Sequence, residues 1–166
     1  MGGGTSSYQE IEDADLLILW GSNARETHPI FFHHVLKGIH RGARLFVVDP
    51  RRTSSAQWAD GWLGLDVGSD IVLANAIGRE ILTAGLENKA FINHATSGFD
   101  QYRVSLEPYT LERAELQTGV PAQAIQNLAH QYANAERAQL CWTLGITEHH
   151  NCLLYTSPSP RDLSTS

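Results

Sequence analysis

The sequence has few cysteines, little excess charge and no long apolar segment. Its two cysteines, Cys141 and Cys152, form no Cys-x-x-Cys motif and indicate a reduced, cytoplasmic setting. The longest apolar run, Leu16–Trp20, has the length of a strand and falls far short of the roughly 20 residues that a membrane span needs. The formal net charge of -6 argues against nucleic acid as the main partner, because phosphate binding needs a basic face.

What is present is the pattern of an ordinary globular domain. A hydrophobic fraction of 42% over 166 residues supports one core without disulfides or a structural metal. Short apolar runs alternate with amphipathic segments, which predicts an α/β fold: a Rossmann-like parallel sheet with flanking helices. The predicted strands are residues 16–20, 44–48, 62–67 and 139–144, and the predicted helices are residues 29–41, 53–60, 71–84, 88–94, 110–117 and 121–136.

Some finer expectations accompany this pattern. The helix over residues 71–84 is apolar on most sides, so we expect it to be largely buried, with Gly78 allowing close approach to the sheet. Residues 98–109 receive no assignment. The four tryptophans are expected in the core or in contacts between domains; they are Trp20, Trp58, Trp62 and Trp142.

The two ends of the sequence differ from its middle. Residues 1–7 are rich in glycine and serine, carry no signal-peptide pattern and are expected to be flexible. Residues 152–166 lack periodicity, and Cys152–Asp162 can be encoded, base for base, by a common transposase-based sequencing adapter. We therefore expect residues 152–166 to be a non-native, adapter-derived tail, and residues 8–151 to be the domain. The alternative is a flexible native terminus.

Two polar loops follow the first two predicted strands, at the sheet edge where open α/β proteins bind ligands. Gly21 would let a phosphate approach the backbone, and Asn23 offers both a donor and an acceptor. Asp49 could accept hydrogen bonds from a ribose, while Arg51 could pair with a phosphate. The alternatives are a plain turn at Gly21 and a helix-capping role for Asp49 with solvated arginines.

Two further loops follow the later strands. Residues 68–70 open a helix, and backbone donors there suit an anion or a polar base edge, although Ser69 or Asp70 could simply be an N-cap. Residues 144–150 include two adjacent histidines, His149 and His150, but adjacent side chains on a strand point apart. No cluster of cysteines or carboxylates completes a ligand set there, and His33 and His34 lie on a predicted helix without a partner four residues on, so no metal ligands are predicted.

Together, these motifs resemble the molybdopterin oxidoreductases related to dimethyl sulfoxide reductase. The matching segments are Glu12-Asp13-Ala14-Asp15, Gly21-Ser22-Asn23 with Thr27-His28-Pro29, Asp49-Pro50-Arg51 with Thr53, and Gly68-Ser69-Asp70, in the expected order. Gly145-Ile146-Thr147-Glu148-His149 is similar to the formate dehydrogenase alpha-subunit branch in particular. The likeness covers nearly all of residues 8–151.

The resemblance implies a cofactor, bis-molybdopterin guanine dinucleotide, in which two pterin dithiolenes hold molybdenum or tungsten. It implies that the first two loops bind one nucleotide, that residues 68–70 complete its guanosine site, and that residues 145–148 lie near the pterin or pyrophosphate. The implied cofactor-binding residues are Gly21, Ser22, Asn23, Thr27, His28, Asp49, Pro50, Arg51, Thr53, Gly68, Ser69, Asp70, Gly145, Ile146 and Glu148.

The catalytic residues of that family have no counterpart in this sequence. Family members carry an N-terminal cysteine cluster for an iron–sulfur centre, and a cysteine or selenocysteine that ligates the metal. This sequence has no cysteine before Cys141, which falls in a predicted strand and is expected to be a small buried side chain. We therefore expect an internal piece of a larger multidomain enzyme, inactive alone.

The leading hypothesis is a cytoplasmic formate dehydrogenase catalytic subunit that acts on formate and passes electrons to partner subunits. An assimilatory nitrate reductase would look similar. A cofactor-less domain of the large iron–sulfur subunit of respiratory complex I is disfavoured by the joint presence of Gly21, Asn23, Asp49 and Asp70. An ordinary dinucleotide-binding domain is disfavoured because no Gly-x-Gly-x-x-Gly follows the first strand.

Overall fold

A parallel sheet organises the part of the chain that the structure, a computed structural model, describes: residues 7–143 and residue 146. Within these residues the strands are β1 (Leu16–Trp20), β2 (Arg44–Val48), β3 (Gly61–Leu63) and β4 (Ala138–Trp142). Their order is β3-β2-β1-β4, and every neighbouring pair is parallel. The predicted α/β class, with a parallel sheet and flanking helices, is confirmed.

Helices fill the connections between the strands. They are α1 (Ala24–Thr27), α2 (Pro29–His40), α3 (Asp70–Thr83), α4 (Lys89–Ala95), α5 (Phe99–Leu106), α6 (Leu111–Thr118) and α7 (Ala122–Asn134), with 3-10 turns at Glu10–Asp13 and Ala56–Trp58. Helix α5 lies in the segment that the sequence left unassigned, and it follows Gly98 in the left-handed region at φ 73°. The helix predicted over residues 53–60 is only the second 3-10 turn.

The third strand is shorter than predicted. Instead of running over residues 62–67, β3 ends at Leu63. The Leu65 N–H turns back to the Leu63 carbonyl, and the Asp66 N–H donates to the Thr118 carbonyl at the end of α6, at 2.8 Å. Gly64 and Asp66 interrupt the apolar residues of the predicted strand, and the backbone leaves the ladder after Leu63 to meet α6.

Alternate residues of β1 pack on opposite faces of the sheet. Leu17 and Leu19 pack with α2, whereas Leu16, Ile18 and Trp20 pack with α3, α6 and α7. All five are buried, as a strand covered on both faces requires. Burial of each such side chain contributes about 1.5–3 kcal/mol, so β1 is the centre of both halves of the core.

Helix α3 is less buried than its sequence suggested. Only Leu73, Ala76 and Glu80 are fully buried along it, because α5, α6 and α7 cover one side and leave the other partly open. Glu80 is a buried carboxylate that accepts hydrogen bonds from Gln126 at 2.9 Å and pairs with His130 at 3.0 Å, both on α7. A polar contact therefore joins α3 to α7.

The close approach at Gly78 is made to a helix and not to the sheet. A Cβ on Gly78 would lie 2.9 Å from the Tyr102 hydroxyl and 3.4 Å from Leu106 Cδ1, both on α5. The glycine thus lets α5 pack on α3.

A second buried carboxylate anchors the first 3-10 turn to α2. Glu12 lies 2.6 Å from His34 Nδ1, 3.0 Å from Lys37 Nζ and 3.0 Å from an Arg41 nitrogen. The hydrogen bonds from Lys37 and then His34 lower the pKa of Glu12 below its ordinary value. The carboxylate therefore stays ionised and joins the segment before β1 to the following helix.

The expectation of core positions holds for one tryptophan. Trp20 is 6% exposed, whereas Trp58, Trp62 and Trp142 are 43%, 40% and 53% exposed. For the other three tryptophans, the expected contact with another domain stays a prediction.

We predict that Gly61→Ala destabilises the fold by about 1–3 kcal/mol, because overpacking a buried contact costs that much. A Cβ on Gly61 would lie 2.6 Å from Cε1 and 2.7 Å from Cδ1 of Phe46, whose ring is buried. Urea denaturation measures the loss. In a Phe46→Ile background the same substitution should cost less, and an equal loss in both backgrounds would contradict the contact.

Candidate functional site

The carboxyl ends of the four strands lie along one edge of the sheet, because all strands are parallel. Gly21, Asp49 and Thr143 are the residues that immediately follow β1, β2 and β4. The chain passes from β1 to β2 and β3 in one direction, and β4 then adds on the other side of β1. Ligands of such sheets bind at this reversal point, outside the carboxyl ends of the strands.

Gly21 links the first loop to its neighbours on both sides. Its N–H donates to the Val48 carbonyl at 2.8 Å, and the Thr143 hydroxyl donates to its carbonyl. Its φ of 57° lies in the left-handed region, where a side chain would cost about 1–2 kcal/mol. Gly21 therefore makes a tight turn that also bonds to the last residue of β2 and to the residue after β4.

Asn23 lies in a polar network that the sequence did not reveal. Its amide nitrogen donates to Glu26 at 2.7 Å, and the Ser54 hydroxyl donates to the other Glu26 oxygen at 2.8 Å. The hydrogen bond from Ser54, followed by that from Asn23, lowers the pKa of Glu26 below its ordinary value. Glu26 follows Asn23 by three residues, which is the spacing of a capping box and is the signal that could have found it.

Thr27 and His28 lie beside the first loop, where α1 ends and α2 begins. Thr27 is the last residue of α1, and His28 holds the N-cap position of α2 without a side-chain capping bond. The Thr27 hydroxyl donates to the Asn23 carbonyl at 3.1 Å and lies 2.8 Å from His28 Nδ1. Both side chains are exposed beside the first loop.

Asp49 is buried at the end of β2. Its carboxylate accepts from the Arg51 N–H at 2.8 Å, and its main-chain carbonyl accepts from the Trp62 indole at 3.0 Å. The carboxylate thus shapes its own loop, while Pro50 and Arg51 are exposed. This arrangement agrees with a local structural role for Asp49 and still leaves Arg51 at the surface.

The side chain of Thr53 ends in a buried hydroxyl without a hydrogen-bond partner in the described part of the chain. A buried polar group left unpaired costs about 1–3 kcal/mol, so this hydroxyl needs a partner from a ligand or from water. Buried Ser55 nearby is satisfied, because its hydroxyl accepts from the Arg25 N–H at 3.0 Å. The unpaired hydroxyl of Thr53 lies in the same loop as Asp49, and it fits a site that binds a polar molecule.

The third loop approaches the same edge through Asp70. Gly68 has a left-handed φ of 91°. Ser69 holds the N-cap position of α3, but its hydroxyl donates to the Asp66 carbonyl at 2.6 Å and no side chain caps the helix. Asp70 accepts a hydrogen bond from the Trp20 indole at 2.8 Å. Ser69 therefore holds the predicted N-cap position, but its side chain makes no capping bond.

The fourth loop falls mostly outside the described residues. Ile146 is described: its N–H donates to the Thr143 carbonyl at 3.2 Å, and its side chain packs against the core on the α3 face of the sheet. Gly145, Glu148, His149 and His150 lie outside.

Exposed arginines surround the first two loops. The guanidinium of Arg25 donates to the Ser54 carbonyl at 3.4 Å, and that of Arg52 lies over the Trp62 ring at 5.8 Å from its centroid. Arg51 is also exposed in the second loop, so this edge carries guanidinium groups, which pair well with phosphate, as well as carboxylates. Sequence reasoning named only Arg51, because nothing local shows where the other two side chains lie.

The described residues contain no group of three or more histidine, cysteine, aspartate or glutamate side chains that could hold a metal ion. His34 bonds to Glu12, as given above. Cys141 is partly buried in β4, and burial raises the pKa of its thiol, in keeping with a packing role. Among residues 7–143 and 146, no helix is long and apolar enough to cross a membrane.

Comparison with known proteins identifies the family to which this chain belongs. Residues 3–153 match the family model of the molybdopterin oxidoreductases. The chain belongs to the molybdopterin oxidoreductase family, and the resemblance seen in the sequence is confirmed.

Three relatives illustrate the match. Formate dehydrogenase H of Escherichia coli is 38% identical over 146 residues, which are 88% of this chain and 20% of that protein. The alpha subunit of a formate dehydrogenase from Methanococcus maripaludis is 36% identical, over 87% of this chain and 21% of its own length. The structure of acetylene hydratase from Pelobacter acetylenicus superposes with a TM-score of 0.76 and 28% identity, covering 80% of this chain and 18% of that one. The chain spans about a fifth of the length of these relatives.

We predict that Ser54→Ala raises the pKa of Glu26 toward its ordinary value of 4.5, because the strongest hydrogen bond to the carboxylate is lost. NMR titration of the Glu26 carboxyl carbon measures the shift. Ser105→Ala, which removes an exposed hydroxyl on α5, is the matched control and should leave the titration unchanged. An unchanged Glu26 titration in Ser54→Ala would show that the contact is absent in solution.

Proposed function

We propose that this segment binds one nucleotide end of a bis-molybdopterin guanine dinucleotide cofactor, within a larger molybdenum or tungsten oxidoreductase. The observation that supports this most directly is the sheet edge itself. The loops of Gly21, Asp49 and Asp70 lie along it, and the orphan hydroxyl of Thr53 is buried beside the second loop. Membership of the family supports a molybdopterin cofactor as the ligand.

Each loop would make a different contact with the nucleotide. Gly21 and Ser22 would bring backbone close to the phosphates, with Asn23, Thr27 and His28 beside them. Asp49 and Thr53 would receive the ribose, and the exposed Arg51 would pair with phosphate. Residues 68–70 would bind the guanine, because a carboxylate accepts two N–H donors of that base. Residues 145–148 would approach the pterin or pyrophosphate.

When bound, the metal of the cofactor would accept the electrons that the substrate loses. This segment would contribute no metal ligand; its residues would bind the nucleotide, orient the cofactor and shield it from water. The metal-ligating residue and the iron–sulfur cluster would come from other parts of the enzyme. Residues 152–166 remain, in this proposal, a non-native tail.

Formate is the substrate that the relatives favour, since two of them are named formate dehydrogenases. Formate would lose two electrons and a proton to give carbon dioxide, and the electrons would pass to electron-transfer subunits. We propose a cytoplasmic enzyme, on the basis of the cysteine usage of the sequence.

In the full-length enzyme, Asp49→Ala should lower the molybdenum or tungsten content per protein several-fold, because the loop after β2 loses the bond to the Arg51 N–H that shapes it. Metal analysis of the purified enzyme measures the loss. Asp13→Ala changes an exposed acid on the 3-10 turn before β1 and should retain full metal content. Equal metal content in both variants would remove Asp49 from the site.

The 166-residue chain by itself should not oxidise formate, with or without added cofactor. The reason is that the metal ligand and the iron–sulfur cluster are proposed to lie in other parts of the enzyme, and the described residues contain no group of three or more ligating side chains that could hold a metal ion. Reduction of an artificial electron acceptor in the presence of formate is the measurement. Turnover by the purified chain above the level without protein would contradict the proposed division of roles.

A further inference from the structure

We infer that Trp20 is a positioning residue: its indole N–H holds the Asp70 carboxylate in the orientation that selects a guanine over an adenine. This inference rests on the proposed function, which assigns the base of the nucleotide to residues 68–70. It adds a residue that no motif identifies, because Trp20 lies inside a strand and looks like an ordinary core side chain.

The contact spans two distant parts of the chain. Trp20 is the last residue of β1, and Asp70 is the first residue of α3. The indole nitrogen donates to one Asp70 carboxylate oxygen at 2.8 Å. Trp20 is buried and pairs in register with Val48 on one side and Trp142 on the other, so its ring has little freedom to move.

The choice of acceptor distinguishes Trp20 from a tryptophan that merely satisfies its own N–H. A buried indole needs some acceptor, and a main-chain carbonyl suffices, as it does for Trp62 on Asp49. Trp20 instead donates to a carboxylate, which makes a stronger, charge-assisted bond. Asp70 is partly exposed, so the group that receives this bond can also meet a ligand.

The backbone supports the same orientation. The turn at Gly68 and the bond from the Ser69 hydroxyl to the Asp66 carbonyl fix the path into α3. The 14-residue helix then begins at Asp70, so the position of the carboxylate is tied to the first turn of α3. A carboxylate held in this way accepts only, so it matches the adjacent donors of guanine and opposes the acceptor nitrogen of adenine.

Equilibrium dialysis of the 166-residue chain against GDP and ADP tests the inference. The unsubstituted chain should bind GDP more tightly than ADP, and Asp70→Asn should remove the preference. Trp20→Phe keeps the ring but loses the donor, and it should lower the preference by about tenfold, the value of one hydrogen bond to a charged group. The double variant should lose no more of the preference for GDP than Asp70→Asn alone, because both substitutions disrupt the same interaction.

Trp58→Phe is the matched control. Trp58 is also an indole near the first two loops, but within the described residues its side chain makes only a ring contact with Arg25 at 6.0 Å. It should leave the ratio of GDP to ADP affinity unchanged. Near-ultraviolet circular dichroism of each variant reports whether the fold is kept.

The outcomes separate the inference from the proposed function. Loss of the GDP preference in Asp70→Asn with full retention in Trp20→Phe would overturn the role of Trp20 and leave the site intact. Equal binding of GDP and ADP by the unsubstituted chain would overturn the proposed guanine contact itself. If Trp20→Phe does not fold, the indole N–H resonance of Trp20 in the unsubstituted chain decides: it should shift with GDP and not with ADP, and no difference would overturn the inference.

Discussion

Strand β1 is the element on which the rest of the structure depends, because it is hydrogen-bonded on both sides and covered on both faces. All five of its residues are buried, and all are large and apolar. Parallel pairing with β2 and β4 forces the three strand ends onto one edge. Gly21 follows β1 at the middle of that edge, where it bonds to the last residue of β2 and to the residue after β4.

Tryptophan side chains of the sheet hydrogen-bond to the polar loops at this edge. The indole groups of Trp20 and Trp62 come from β1 and β3, and they donate to Asp70 and to the Asp49 main chain. Rigid rings of this kind lose little conformational entropy when they fix a loop. The loops can therefore carry polar residues for binding while the sheet supplies the order.

Sequence reasoning found the elements whose signals are local. It located β1 and β2 from their apolar runs, and α2 from Pro29 and the helical spacing that follows. It extended β3 too far, because apolar residues continue at alternate positions through Leu65 and Val67, and only the tertiary bond between Asp66 and Thr118 shows that the chain turns away. Periodicity cannot show such a bond.

The candidate site shows the same limit. Its loops could be named, because glycine and acidic residues after strands have a known use. The partners within it could not, since Trp20 and Asp70 are separated by 50 positions and Asn23 and Ser54 by 31. The buried hydroxyl of Thr53 is likewise a property of packing, and a threonine in a polar loop gives no sign of it.

The contact between Gly61 and Phe46 has a consequence for how the family can diverge. Phe46 on β2 and Gly61 on β3 are paired in register, and the Phe46 ring occupies the space that a side chain on residue 61 would need. Neither position is then free to vary by itself. We expect the two to co-vary among relatives: an aliphatic residue at the position of Phe46 should be accompanied by a larger side chain at the position of Gly61.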